Sequence, residues 1–242
     1  MMSKPKVFIT RIIPDKGLDL IKDFCDVDVW TDDMPPGRAD LLRRVRGVDG
    51  LLSLLTEKID EEVMKAAGSE LKVISNFAVG FDNIDIQAAT KRKIPVGNTP
   101  DVLTDATADL AFALMLSVGR RLMEGQQYVR DGRWKTWSPT LLLGIEMKEA
   151  TLGLIGFGRI GKAVARRAMG FGMRVIYYDP TETYTHSDLN ATRVDFETLL
   201  QEADFISLHT PLTEKTRHII DSAALSKMKP TAVLINTARG PI

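Results

Sequence analysis

Three glycines, Gly156, Gly158 and Gly161, stand in the stretch "TLGLIGFGRIGKAVARRAMGFGMRVIYYDP", and an aspartate, Asp179, follows eighteen residues after the last of them. Glycine at these spacings does what a bulkier residue cannot. Gly156 permits a tight turn, Gly158 lets backbone come close to a pyrophosphate, and Gly161 lets a helix pack against the preceding strand. The N–H groups of Arg159, Ile160 and Gly161 then face the anion at the positive end of that helix. The Arg159 side chain reads either as a phosphate clamp or as a solvated group whose backbone does the binding. A carboxylate where Asp179 stands takes a ribose 2′-hydroxyl and repels a 2′-phosphate, which points to NAD, with NADP as the alternative. A flavin or S-adenosylmethionine would use a similar turn.

The second residue with chemistry to offer is Arg239, in "AVLINTARGPI". Its guanidinium is a permanent cation with a planar fork of donors, suited to carboxylate and carbonyl oxygens. By composition alone it is equally a solvated arginine at a strand end. Its place after an apolar run matters, because open α/β sheets bind ligands outside the carboxyl ends of their strands.

The elements that must position these groups are short β-branched or apolar runs and the helices between them. The runs are 6–10, 27–30, 50–55, 71–75, 94–98, 150–155, 173–178, 204–208 and 232–236. Helix-compatible stretches at the 3.6 period lie between them, at Leu18–Phe24, Ala39–Val45, Glu61–Ala67, Ile84–Lys91 and Lys162–Met169. Such alternation predicts parallel sheets covered by helices. Two series appear, divided near residue 100, so we expect a domain over 1–100 and a second over 101–242. A long helix is expected over 105–121 after Pro100, with Asp101, Asp105 and Asp109 assigned to its first turns, where acids favour the positive end of its dipole. The stretch 130–148 reads as a long irregular connection of functional or partner-contacting type.

Composition excludes several classes. Lys plus Arg and Asp plus Glu both number 32, so no basic surplus advertises nucleic acid. One cysteine, Cys25, and three scattered histidines offer neither an internal disulfide nor a metal-ligand spacing. No apolar run approaches the roughly 18 residues of a membrane span, and the stretch "MMSKPKVFIT" lacks the long apolar region of a signal peptide. The reading is a cytoplasmic protein with a small-molecule partner and no metal.

Taken together, "GLLSLLTEKID" (50–60), "LKVISNFAVGFDNIDIQAA" (71–89), "IPVGNTPDVLTDATADLAFALML" (94–116), "GFGRIG" (156–161), "DFISLHTPLT" (204–213) and "MKPTAVLINTARG" (228–240) resemble the D-isomer-specific 2-hydroxyacid dehydrogenases, most of all the glyoxylate/hydroxypyruvate reductases. The resemblance implies a flavodoxin-like substrate domain and a Rossmann NAD-binding domain. It also implies NAD(P)H-dependent hydride transfer to a small 2-oxo acid, glyoxylate or hydroxypyruvate, giving the D-2-hydroxy acid, or the reverse.

By the same resemblance, Arg239 is catalytic. Val79 and Gly80 bind the substrate carboxylate through backbone N–H groups, and Leu52 and Ser53 wall the pocket. Thr104 lies on the nicotinamide side, where its plain alternative is a cap hydroxyl. His209, Thr210 and Pro211 line the adenosine and ribose side, and Thr237 and Ala238 join the cofactor contacts. His209 attracts attention as a general acid, but the family's acid histidine belongs to another motif, downstream of the arginine. Neither that histidine nor the acidic residue that orients it occurs in this sequence, and nothing near His186 or His218 indicates a substitute. We therefore expect a chain truncated in the C-terminal part of both domains, with a catalytically silent NAD-binding module as the alternative. Helix 105–121 and the loop with Trp134 and Trp137 resemble the segment through which family members dimerise, so a homodimer through 105–148 is expected.

Overall fold

The computed structural model describes residues 3–181 and 187–242. It divides into two compact units, Met1–Val102 and Leu103–Ile242.

The first unit alternates strands β1 (Lys6–Ile9), β2 (Asp26–Val29), β3 (Gly50–Ser53), β4 (Val73–Asn76) and β5 (Val96–Gly97) with helices α1 (Asp15–Phe24), α2 (Arg38–Arg44), α3 (Glu61–Ala67) and α4 (Ile86–Lys91). All pairings are parallel and the order is β2-β1-β3-β4-β5, the flavodoxin-like order. Successive side chains alternate between the two faces. Phe8, Leu51 and Ile74 pack on one face against Leu41, Val63, Met64 and Ala88, while Ile9 and Leu52 meet Leu18 of α1 on the other.

The second unit holds β6 (Thr151–Ile155), β7 (Arg174–Tyr178), β8 (Ala191–Arg193), β9 (Phe205–Leu208) and β10 (Val233–Asn236). Their order β10-β9-β6-β7-β8, again all parallel, is the Rossmann order. Helices α5 (Thr104–Gly119) and α7 (Arg159–Gly170) share a core with Leu152, Leu154, Val175, Tyr177, Phe205 and Ile235. Helices α8 (Phe196–Glu202) and α9 (Ser222–Lys227) share another with Ile176, Ile206 and Leu208. Asp60, Asp85, Asp195 and Asp221 cap α3, α4, α8 and α9, each carboxylate accepting a backbone N–H three residues on.

Three details differ from the sequence expectations. The long helix stops at Gly119, Arg121 takes the left-handed conformation (φ 53°), and a further helix, α6 (Leu122–Arg130), follows. Strand β8 does not figure among the expected runs. Asp105 and Asp109 pair with Arg167 of α7, at 3.1 and 2.7 Å, so they tie two helices together besides facing a dipole.

Candidate active site

The strands of the second sheet end level with one another. Ile155 is in register with Tyr178 and with Leu208, and Leu208 with Asn236. The residues that follow, Gly156, Asp179, His209 and Thr237, therefore form one row along the carboxyl edge, about 4.8 Å per strand. Between β6 and β9 the chain order reverses, which opens the crevice where such sheets take ligands.

The three glycines have different reasons to be glycine. Gly156 has φ +93°, and a Cβ there would lie 2.7 Å from the His209 carbonyl carbon and 2.8 Å from the Thr210 nitrogen. A Cβ on Gly161 would lie 2.4 Å from the Gly156 oxygen, so helix and turn touch backbone to backbone. Gly158 differs. Its φ of −73° and ψ of −159° suit any residue, and a Cβ on it would meet nothing within 4 Å. Neither packing nor conformation demands glycine at 158, and the space beside it lies at the start of α7, where no side chain caps the helix. A pyrophosphate is the group that fits a clear approach to exposed N–H groups at a positive helix end.

Asp179 is half-buried at the end of β7. One carboxylate oxygen accepts the Phe157 N–H at 2.8 Å, and the other accepts from the N–H and hydroxyl of Thr181, each at 2.8 Å. Among the described residues, Thr237 Oγ1 is the one buried side-chain polar atom without a hydrogen-bond partner, and it sits where β10 meets this row. Open space at Gly158, an acid at the β7 end and an orphaned hydroxyl at the β10 end together match the outline of a dinucleotide.

His209 is held through its backbone N–H to Ile155 O at 2.7 Å and through Nε2 to the Ser207 hydroxyl at 2.9 Å. Burial pushes its pKa down from 6.5 to about 4. The ring is thus neutral at pH 7 and has no imidazolium proton to donate. A linkage consequence follows, since the folded state binds fewer protons than the unfolded one between pH 6.5 and 4. Stability is full above pH 6.5 and declines as pH falls through that window. His209→Gln, which keeps a polar group for Ser207, should remove roughly 2 kcal/mol of the stability lost between pH 7 and pH 5. Denaturant titrations at the two pH values check this, and parallel losses in both proteins would contradict it. Thr210 is half-buried and Pro211 exposed, with the Pro211 carbonyl accepting from the Thr216 hydroxyl at 2.6 Å.

Arg239 is half-buried, three residues beyond β10. Asn236 fixes that turn from both sides: its oxygen accepts the Ala238 N–H at 2.9 Å and its amide donates to the Arg239 carbonyl at 2.8 Å. The guanidinium donates to the Ala238 carbonyl at 2.9 Å. Thr104 is the first residue of α5, half-buried, and no side chain caps that helix. His218 is exposed, with φ 53°, and His186 lies outside the described residues.

In the first unit, Val79 and Gly80 are half-buried in the turn after β4. Leu52 and Ser53 are buried in β3, and the Ser53 hydroxyl donates to Asn76 Oδ1 at 2.9 Å. Asn76 in turn donates to the Gly80 carbonyl at 2.8 Å and exchanges amide hydrogen bonds with Asn83 at 3.0 and 3.2 Å. Asn83 also donates to Leu54 O and Glu57 O. Glu57 is 3 % exposed and accepts from the Thr10 hydroxyl at 2.6 Å and the Leu54 N–H at 2.9 Å. Sequence reasoning passed over this network. Its one signal is the pair of asparagines, Asn76 and Asn83, flanking the glycine turn.

Among the described residues no group of three His, Cys, Asp or Glu could hold a metal ion, and no helix is long and apolar enough to cross a membrane.

The model of one domain family, "D-isomer specific 2-hydroxyacid dehydrogenase, NAD binding domain", matches residues 112–242. The chain is 54% identical over 244 residues to a glyoxylate reductase of Thermococcus litoralis, covering 99% of this chain and 73% of that protein. Among solved structures it superposes on a Thermus thermophilus protein with a TM-score of 0.90 at 47% identity, covering 98% of this chain and 74% of that one. A D-lactate dehydrogenase from Aquifex aeolicus, complexed with NAD and lactic acid, gives a TM-score of 0.84 at 29% identity, covering 98% and 69%. The two sheet orders, the glycine turn with its acid and these likenesses agree: the chain belongs to the D-isomer-specific 2-hydroxyacid dehydrogenases and carries their NAD-binding domain.

Proposed function

We propose that the protein reduces a small 2-oxo acid, glyoxylate or hydroxypyruvate, to the corresponding 2-hydroxy acid, using NADH in preference to NADPH. The observation that carries the nucleotide half of this reading is Gly158, a glycine the fold itself does not need. The substrate half rests on Arg239 and on the similarity to glyoxylate reductases.

In this reading the Arg159, Ile160 and Gly161 N–H groups bind pyrophosphate, and Asp179 binds the ribose hydroxyls and repels a 2′-phosphate. His209, Thr210 and Pro211 line the adenosine and ribose side through their backbone. Thr104, Thr237 and Ala238 contact the nicotinamide end. The bound cofactor supplies the hydride. Arg239 holds the substrate by carboxylate and carbonyl oxygens, its fixed charge stabilises the negative charge that develops on the carbonyl oxygen, and one proton taken up from water by that oxygen completes the hydroxyl group. The N–H groups of Val79 and Gly80 bind the carboxylate, with Leu52 and Ser53 behind them. The test is NADH oxidation across a panel of 2-oxo acids, by the protein encoded in the complete reading frame. Dependence on glyoxylate or hydroxypyruvate is expected, and none across the panel would refute the assignment.

The same reading includes a homodimer through 105–148. Leu110, Leu114 and Val118 recur every four residues on α5 and are exposed, as are Leu122, Met123 and Val129 on α6 and both Trp134 and Trp137, the latter 76 % exposed. Such an apolar face with two tryptophans is typical of a partner contact. Light scattering should give twice the protomer mass, and a monomeric mass would contradict the dimer. A reducing cytoplasm suits a chain whose one cysteine, Cys25, is free.

A further inference from the structure

The turn assigned to the substrate carboxylate is held by its carbonyls. Strand β5 runs beside β4 with Ser75 opposite Gly97, which brings Asn98 and Thr99 alongside Ala78–Gly80. The Thr99 N–H donates to the Ala78 carbonyl at 2.8 Å, and the Asn98 side-chain amide donates to the Val79 carbonyl at 2.8 Å. Asn76 takes the Gly80 carbonyl. Three consecutive carbonyls are thus anchored. Among the described residues, no hydrogen-bond acceptor meets the N–H of Val79 or of Gly80.

In a trans peptide the carbonyl and the N–H of one plane point in opposite directions. Anchoring Ala78 O therefore aims the Val79 N–H, and anchoring Val79 O aims the Gly80 N–H, both away from the 98–99 segment. Two adjacent N–H groups aimed by fixed peptide planes make a preorganised cradle for an anion. The Thr99 contribution is backbone, and any residue but proline supplies it. The Asn98 contribution is a side chain.

We propose that Asn98 is a positioning residue for substrate recognition: by holding the Val79–Gly80 peptide plane it directs the Gly80 N–H at the carboxylate of the 2-oxo acid. The proposal rests on the assignment of Val79 and Gly80 to that carboxylate. It concerns ground-state and transition-state binding alike, so it acts on KM more than on kcat. The Asn98 side chain is exposed and outside both apolar cores, so its loss leaves the fold unaffected.

The test uses Asn98→Leu, which keeps the outline of asparagine without a donor, and Asn98→Gln, which restores the donor on a longer stem. For Asn98→Leu, KM for glyoxylate and Kd for oxamate in the presence of NADH should each rise about 5- to 10-fold, the worth of one oriented hydrogen bond. Over the same comparison kcat should change less than about 2-fold, while NADH affinity and Tm stay as in the wild type. Asn98→Gln should recover part of the loss. A fall in Tm or NADH affinity that parallels the loss of oxamate binding would overturn the proposal in favour of a merely structural role. So would unchanged KM and oxamate affinity in an otherwise active Asn98→Leu enzyme, which leaves the reductase assignment standing. A wild-type protein that neither binds oxamate nor reduces glyoxylate overturns both.

Discussion

Gly158→Ala is expected to fold as stably as the wild type and to bind NADH at least about 100-fold more weakly, a loss of roughly 2.7 kcal/mol. The contrast with its neighbour makes the result decisive. At Gly158 the backbone is extended and the added methyl meets nothing within 4 Å, so the folded protein has no reason to object. The methyl occupies the approach to the helix N-terminus that a pyrophosphate must use. At Gly156 the conformation is left-handed and the methyl would lie 2.7 Å from His209 backbone, with no flexible side chain to yield. Gly156→Ala should therefore lose several kcal/mol of stability before any question of binding arises, about 2–4 by strain and overlap. Thermal melts with and without NADH separate the two. A Gly158→Ala protein whose NADH affinity equals that of the wild type would remove the pyrophosphate from this turn.

The second large effect belongs to Arg239. Arg239→Lys keeps the charge but loses the fork, so it cannot span carboxylate and carbonyl oxygens with two aligned N–H groups. We expect kcat/KM for the 2-oxo acid to fall about 100-fold or more, with NADH affinity within about 2-fold of the wild type. The split matters because the same turn contributes Thr237 and Ala238 to the proposed cofactor contacts. Asn236 holds the backbone of that turn independently of the arginine side chain. Loss of NADH binding along with turnover would mean that Arg239 supports the nucleotide pocket instead of the substrate.

Much of this was legible in the sequence because the apolar runs are themselves the buried strands. "TLGLI" is buried at all five positions of β6, and "FISL" at all four of β9. Period-two burial in "VLIN" does not show in the residue types, because Leu234 is exposed yet as apolar as the buried Val233 and Ile235 on either side. What was not legible depends on contacts distant in sequence. Strand β8 is only Ala191–Arg193, with one buried residue, and exists because β7 offers it an edge. The end of α5 is set by the chain crossing at Gly144, where a Cβ would lie 2.1 Å from the Gly119 oxygen and Ile145 N–H takes that same carbonyl. No local pattern in "SVGRRL" announces that crossing. The network of Ser53, Glu57, Asn76 and Asn83 escaped for a related reason. Polar residues beside a glycine read as turn formers, and their burial at the strand ends appears only once the sheet is assembled.

The turn residues proposed as ligands raise a different question, since glycines and asparagines carry no chemistry of their own. In this chain they act by leaving room, as at Gly158, or by fixing peptide planes, as at Asn98 and Asn236. In the proposed reaction the charge that meets the substrate comes from one side chain, Arg239, and the electrons from the cofactor.

The most direct test of the reductase assignment is therefore turnover with both partners present. The protein encoded in the complete reading frame, mixed with NADH and glyoxylate, should oxidise NADH to NAD while forming glycolate in equal amount, faster with NADH than with NADPH. Tight NADH binding with no oxidation by glyoxylate, hydroxypyruvate or any other small 2-oxo acid would contradict it, and would leave a nucleotide-binding protein without the reductase chemistry assigned to Arg239.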